Sequence, residues 1–391
     1  MVAAPSLEQE HELDHRGYTL FVFVLPLLLS AALDAMLSVL CDWLPRPRLR
    51  AFGLAGLSLG LVLVALAPSA GWLSCGLALA GAASGLSCSA AQADLIASQD
   101  GDLALARWAF FGGLGDLASP LLVAAVLGLG GSYRGALVVI AAFSAVQALA
   151  ALRAPAVPAL ETVEPEVVEP ELSFTRALRT AAGQRRLWLW LIGSGLCTLL
   201  DEIVLALATL RLRLDLGESD AVAASCGVVL SLGGTLGAAL TERLLPRVPA
   251  RRLLLASALA CPCALALVVA SPSAGWLTPA LFLLGVTAAP HYPLLEARAY
   301  AELPGRPGLV RALGQVTVLI DILAPAALGA IAQAFGLAAA LAALVLQPLG
   351  VLALLWGTRR RGPGSGSQRG RARHGHETAR QTLGRHSDSS R

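Results

Sequence analysis

The sequence predicts an all-α polytopic membrane protein built of two pseudo-symmetric helical bundles. Hydrophobic residues fill 56% of its 391 positions and charged residues only 14%. Apolar runs of around 20 residues, the length a bilayer core demands, recur along the chain. Two of them each hold a lone carboxylate with a proline four residues on: Asp116 and Pro120 in Arg107–Gly131, Asp321 and Pro325 in Arg311–Gly336. A charge at mid-bilayer costs about 2.5–3.5 kcal/mol or more, so it is rarely kept without a task or a partner.

The duplication is legible elsewhere too. Pro68-Ser-Ala-Gly-Trp-Leu73 recurs letter for letter as Pro272-Ser-Ala-Gly-Trp-Leu277, and Asp42-Trp-Leu-Pro-Arg-Pro-Arg is answered by Glu242-Arg-Leu-Leu-Pro-Arg. All three matches fall in order at offsets of about 200 residues, which chance does not supply.

Hydropathy gives eleven spans. Five form the first bundle, residues 18–153: Tyr18–Asp42, Ala51–Ala67, Trp72–Ala97, Leu105–Leu129 and Arg134–Leu152. Six form the second, residues 187–357: Leu187–Leu210, Ala221–Leu245, Leu253–Ala270, Trp276–Ala297, Leu309–Phe335 and Leu337–Trp356. Residues 1–17 are polar and acidic, without the basic start of a cleavable signal. Residues 154–186, with Pro155, Pro158, Pro165, Pro170 and five glutamates, read as a flexible linker. The Arg-rich tail, 358–391, reads as disordered. Subtracting the repeat offset from the sixth span places its partner at or before Met1. The first half is therefore expected to lack its opening helix, with the true start upstream or, as the alternative, a true eleven-span form.

Arginine placement orients the chain. Arg46, Arg48, Arg50, Arg107, Arg176, Arg179, Arg185, Arg186, Arg243, Arg247, Arg251, Arg252, Arg298, Arg306 and Arg311 share one side with the tail, and only Arg16, Arg134, Arg211 and Arg213 fall on the other. The linker and C-terminus are expected to be cytoplasmic, in a plasma (inner) membrane. The tail is expected to meet anionic lipid headgroups rather than nucleic acid.

Several classes are excluded. The chain has no lysine, and a Walker A phosphate loop needs one. No catalytic triad spacing, HExxH or metal cluster is present, so neither an enzyme nor a cofactor is expected. The seven cysteines lie in apolar runs and read as small core residues.

Two halves, a long linker, and an acidic-then-basic loop after the family's second helix of each half resemble the major facilitator superfamily over about residues 18–357. Asp42 and Glu242 match the acid of that family's loop motif, and Arg46, Arg48, Arg247, Arg251 and Arg252 its basic end, with Pro45 and Pro246 replacing its glycines. Gly112-Gly-Leu-Gly-Asp-Leu-Ala-Ser-Pro120 resembles a loose form of the antiporters' glycine-proline motif, and Ser132-Tyr-Arg-Gly135 the usual Trp-Arg. The resemblance implies that the spans are family helices two to twelve and that the halves rock about a central cavity.

Candidate substrate- or proton-binding residues are Asp34, Asp116, Asp201, Glu202, His291, Tyr292 and Asp321. Asp116 and Asp321 are expected at the seam between halves, as a coupling pair or as helix–helix glue. Asp201 and Glu202 repel each other in hydrocarbon, the setting a proton-exchanging group needs, yet they point about 100° apart, so one alone is expected to face the cavity. His291 and Tyr292 stand between Pro290 and Pro293, where the helix is expected to break. Asp94 and Glu296 are expected to pair with loop arginines as a gate or structural clamp, beside the motif residues Asp42, Arg46, Arg48, Glu242, Arg247 and Arg251. Core carboxylates without core arginines point to a proton-coupled carrier, with efflux of a cationic or neutral compound favoured. The rival is a transport-incompetent sensor or scaffold.

Overall fold

A computed structural model describes residues 17, 19–153 and 174–359. The acidic N-terminal stretch, the 154–173 part of the linker and the tail beyond Arg359 lie outside the described residues. Among the described residues there are helices and turns and no strand.

The helices are α1 (Leu25–Ser38), α2 (Arg46–Ala65), α3 (Ala70–Ser98), α4 (Gly101–Gly128) and α5 (Tyr133–Arg153) in the first bundle. Those of the second are α6 (Phe174–Ala182), α7 (Arg185–Gly195), α8 (Glu202–Leu214), α9 (Asp220–Leu244), α10 (Ala250–Ala270), α11 (Ala274–Ala288), α12 (His291–Glu302), α13 (Pro307–Gly314), α14 (Val318–Phe335), α15 (Leu337–Ala343) and α16 (Leu346–Arg359). A π-turn at Thr19–Val24 precedes α1, and a 3₁₀ turn at Val39–Asp42 follows it. Among the described residues, ten continuous helical runs are long and apolar enough to cross a bilayer. The remaining expected span is the α11–α12 pair, 15 and 12 residues long, each too short alone.

Four details place the two halves in one mould. Pro45 and Pro249 precede α2 and α10 with φ −58° and −54°. Ser69 and Ser273, inside the repeated hexapeptide, are extended at φ −151° and −154°. Gly130 and Gly336 turn the chain into α5 and α15 at φ +80° and +88°, a left-handed geometry that a β-carbon disfavours. Trp72 and Trp276, both exposed, stand at equivalent interfacial levels.

Lipid offers no hydrophobic drive between helices, so small residues bring the backbones together. A β-carbon on Gly53 would fall 2.7 Å from the Ala83 carbonyl, and one on Gly60 would fall 2.6 Å from the Ala80 nitrogen, locking α2 to α3. The second bundle packs on larger side chains, with Leu277, Leu281, Leu284 and Leu341 fully buried in one cluster. The part of the linker expected to be flexible next to the second bundle is instead helical. Ala177 and Ala181 of α6, one turn apart, pack on Leu187 and Trp190, which gives this short segment a buried stripe.

Breaks in the helices set up the interior. Leu196–Leu200 tightens to a 3₁₀ turn, Asp201 leaves helical geometry at φ −111°, and Glu202 restarts the helix as α8. The Leu200 N–H freed there donates to Gln347 Oε1 at 3.0 Å, and Gln347 Nε2 meets His291 Nδ1 at 3.3 Å. Replacing Gln347 by Leu orphans a buried N–H, which costs about 1–3 kcal/mol. The variant should unfold several degrees below wild type in detergent; an unchanged midpoint would show that this bond contributes nothing.

Candidate functional site

A cavity of about 660 Å³ lies between the two bundles, within the range of sites for small molecules. Its walls are small, with Gly112 and Gly113 from α4 facing Gly234 and Thr235 from α9. The seam there is tight: a β-carbon on Gly113 would lie 2.6 Å from Thr235 Oγ1.

Asp34, Asp116, Asp201, Tyr292, Glu296 and Asp321 all line this cavity. Asp116 and the Pro120 position share α4, and Asp321 and Pro325 share α14. No basic side chain stands against Asp116, Asp201 or Asp321 among the described residues. Glu202 does not line the cavity, though it stands within electrostatic reach of Asp201 and Asp321.

The floor is a polar network shared by both bundles. Asp34, 4% exposed, accepts from Ser38 Oγ at 2.9 Å on Oδ1 and from Gln315 Nε2, across the seam, on Oδ2. Ser38 in turn meets Ser89 at 3.1 Å. Arg311 Nη2 stands 3.6 Å from Asp34 Oδ2, with Glu296 and Tyr292 within electrostatic reach.

Three expectations need correction. Arg311, counted with the linker-side arginines, belongs to the interior: α13 begins at Pro307 and carries it one turn inward to the cavity. The core therefore does contain an arginine. Glu296 is buried in the cavity wall beside that arginine instead of pairing with exposed loop arginines. His291 is wholly buried behind the wall, held to Gln347, and does not reach the cavity. The helix does break at Ala289–Pro290, which turns Tyr292 inward and His291 outward.

Between the floor and the linker end, the bundles are tied by charge. Asp42 accepts the Gly308 and Leu309 N–H groups at 2.8 and 3.0 Å, capping the start of α13, where the helix dipole favours an anion. Arg107 Nε reaches Glu242 Oε1 at 2.8 Å, and Arg298 Nη2 reaches Asp102 Oδ2 at 2.7 Å. Tyr300 donates to Gln92 at 3.0 Å. Asp94 sits inside the first bundle, 3.5 Å from Arg50 and 3.8 Å from Arg46, while Arg46 also donates to the Ala93 carbonyl. Arg251 caps the Leu355 carbonyl at 3.1 Å and Arg247 the Arg243 carbonyl at 3.3 Å; Arg48 is exposed. Arg211, read as a topology charge, is buried and caps the end of α10 through the Val268 and Ser271 carbonyls.

Sequence reasoning missed Arg311, Gln315, Gln347 and the Asp102–Arg298 pair. Gln347, Gln315 and Arg311 left a signal, as polar residues within apolar spans.

The family model of the Major Facilitator Superfamily matches residues 1–320. The chain belongs to that superfamily. No curated protein sequence matches it. Among solved structures, the E. coli fucose:proton symporter FucP is similar at TM-score 0.67 and 16% identity, over 92% of this chain and 91% of that one. FucP in the outward conformation gives 0.66 at 16%, over 92% and 95%. The human organic anion transporter MFSD10 gives 0.66 at 18%, over 90% and 88%. At these identities the likeness is one of fold, and each solute belongs to the protein that carries it.

Cys88 lines the cavity above these ties. In a variant keeping Cys88 alone, a membrane-impermeant maleimide should label it from the side opposite the linker. Adding Asp102→Asn and Glu242→Gln removes two cross-bundle ion pairs and should raise labelling from the linker side several-fold. Equal labelling from both sides in the parent would show that the ties close nothing.

Proposed function

We propose that this superfamily transporter is proton-coupled and moves a small cationic or neutral solute by rocking its two bundles about the cavity. The observation that carries the reading is the set Asp116, Asp201 and Asp321, which reach one cavity from both bundles without a basic partner among the described residues. Carboxylates in that setting exchange a proton for a bound cation without leaving a bare charge in hydrocarbon. Arg311 does not reverse the sign of the cavity, because Asp34 and Glu296 stand beside it.

The arginine excess at the linker end supports a cytoplasmic linker and C-terminus. With that orientation, the cross-bundle ties close the cytoplasmic side, and alternation requires breaking them as equivalent contacts form on the far side. The intact cavity and its retained acids speak against a scaffold without transport.

Proteoliposome flux with and without an imposed pH gradient tests the reading, and the sign of the effective gradient gives the direction. Asp201→Asn should abolish gradient-driven flux and leave counterflow measurable. Glu202→Gln, outside the cavity, should keep both within about twofold. Flux indifferent to pH in the wild type, and unchanged in Asp116→Asn, Asp201→Asn and Asp321→Asn, would leave these acids as helix–helix glue.

A further inference from the structure

Arg311 has an unfilled donor fork. A guanidinium carries five N–H donors in a fixed plane, and an arginine locked in a structural pair closes to about 2.7–2.9 Å. The other cross-bundle arginines do so: Arg298 lies 2.7 Å from Asp102 and Arg107 lies 2.8 Å from Glu242. Arg311 does not. Its nearest carboxylate oxygen, Asp34 Oδ2, is 3.6 Å away. Each Asp34 oxygen already accepts a shorter bond, Oδ1 from Ser38 and Oδ2 from Gln315. Its Nε is buried with no hydrogen-bond partner, and among the described residues its side chain donates to none. A buried, unfilled donor costs about 1–3 kcal/mol, more when charged, so an acceptor from outside the protein is favoured here.

We propose that Arg311 receives the carboxylate of a zwitterionic solute whose ammonium end faces Asp116, Asp201 and Asp321. This rests on the transporter reading of the same cavity and names its solute class. The fork matches a planar carboxylate bidentately. A simple organic anion is disfavoured, because the rest of the lining is acidic: Asp34, Asp116, Asp201, Glu296 and Asp321 against one arginine. A phosphate dianion meets the same repulsion twice over. A zwitterion satisfies both poles and is neutral overall. Arg311 and Asp321 are ten residues apart along α13 and α14, which at 1.5 Å per residue separates their backbones by about 15 Å. The two solute charges are therefore several bonds apart, as in a short peptide or an ω-amino acid.

The test uses the full chain in nanodiscs and a panel of dipeptides and linear ω-amino acids. Each is paired with its C-terminal amide, which keeps only the cation, and its N-acetyl form, which keeps only the anion. Binding is read by calorimetry and by thermal stabilisation. At least one zwitterion should bind roughly tenfold or more tightly than both of its blocked forms. Arg311→Lys keeps the charge and loses the fork, so it should weaken the zwitterion roughly tenfold and leave the amide unchanged. Asp321→Asn should weaken the zwitterion and the amide and spare the N-acetyl form; it keeps the test decisive if Arg311 variants fail to fold. Amides that bind as tightly as zwitterions, unchanged binding in Arg311→Lys, or no binding by any zwitterion would each overturn the proposal. Proton-driven flux of a cation by the same protein in proteoliposomes would then show that the transporter reading stands alone, and its absence that both have failed.

Discussion

Asp34 cannot be left bare in hydrocarbon, and the way it is satisfied ties the two halves together. Its partners come from its own helix, through Ser38, and from the opposite bundle, through Gln315 and the more distant Arg311. Local fixing is needed as well as long-range charge. Gly85 faces the carboxylate so closely that a β-carbon there would collide with it. Ser89 holds Ser38 from the same helix. The carboxylate thus becomes the floor of the cavity, and whatever moves one bundle must renegotiate its bonds.

Above that floor the interior exists because the helices are broken. A continuous helix satisfies its own backbone and shows lipid or neighbours only side chains. The 3₁₀ turn before Asp201 and the turn at Ala289–Pro290 release backbone groups, and Gln347 and His291 take up the space between them. This buried trio explains why His291 is a structural residue while its neighbour Tyr292 reaches the cavity. Glycines such as Gly112, Gly113 and Gly234 in the wall keep part of the lumen open.

The linker end works differently, through strong short pairs instead of a loose one. Asp42 on the α13 amides and the two arginine–carboxylate bridges are geometrically closed. Such half-exposed pairs contribute modestly each, and a set of small, separable terms suits a surface that must part and close again. Arg311, by contrast, is held in place and left unfilled.

The class, the pairing of the halves and most of the acidic lining were legible in the sequence. Apolar runs must be long enough for the bilayer, repeated motifs must fold alike, and a carboxylate in such a run must face something polar. Asp34, Asp116, Asp201 and Asp321 were found on that ground, and Tyr292 by the prolines that flank it. Hydropathy, however, marks where apolarity begins and not where a helix begins. It therefore placed Arg311 at the very edge of a span, where it counted with the linker-side arginines, whereas Pro307 starts α13 early enough to carry it inside. It also could not choose between adjacent residues such as Asp201 and Glu202, or His291 and Tyr292. Which of each pair faces the cavity depends on a local break in helical winding, and only the packing of distant helices, through Gln347, fixes that break.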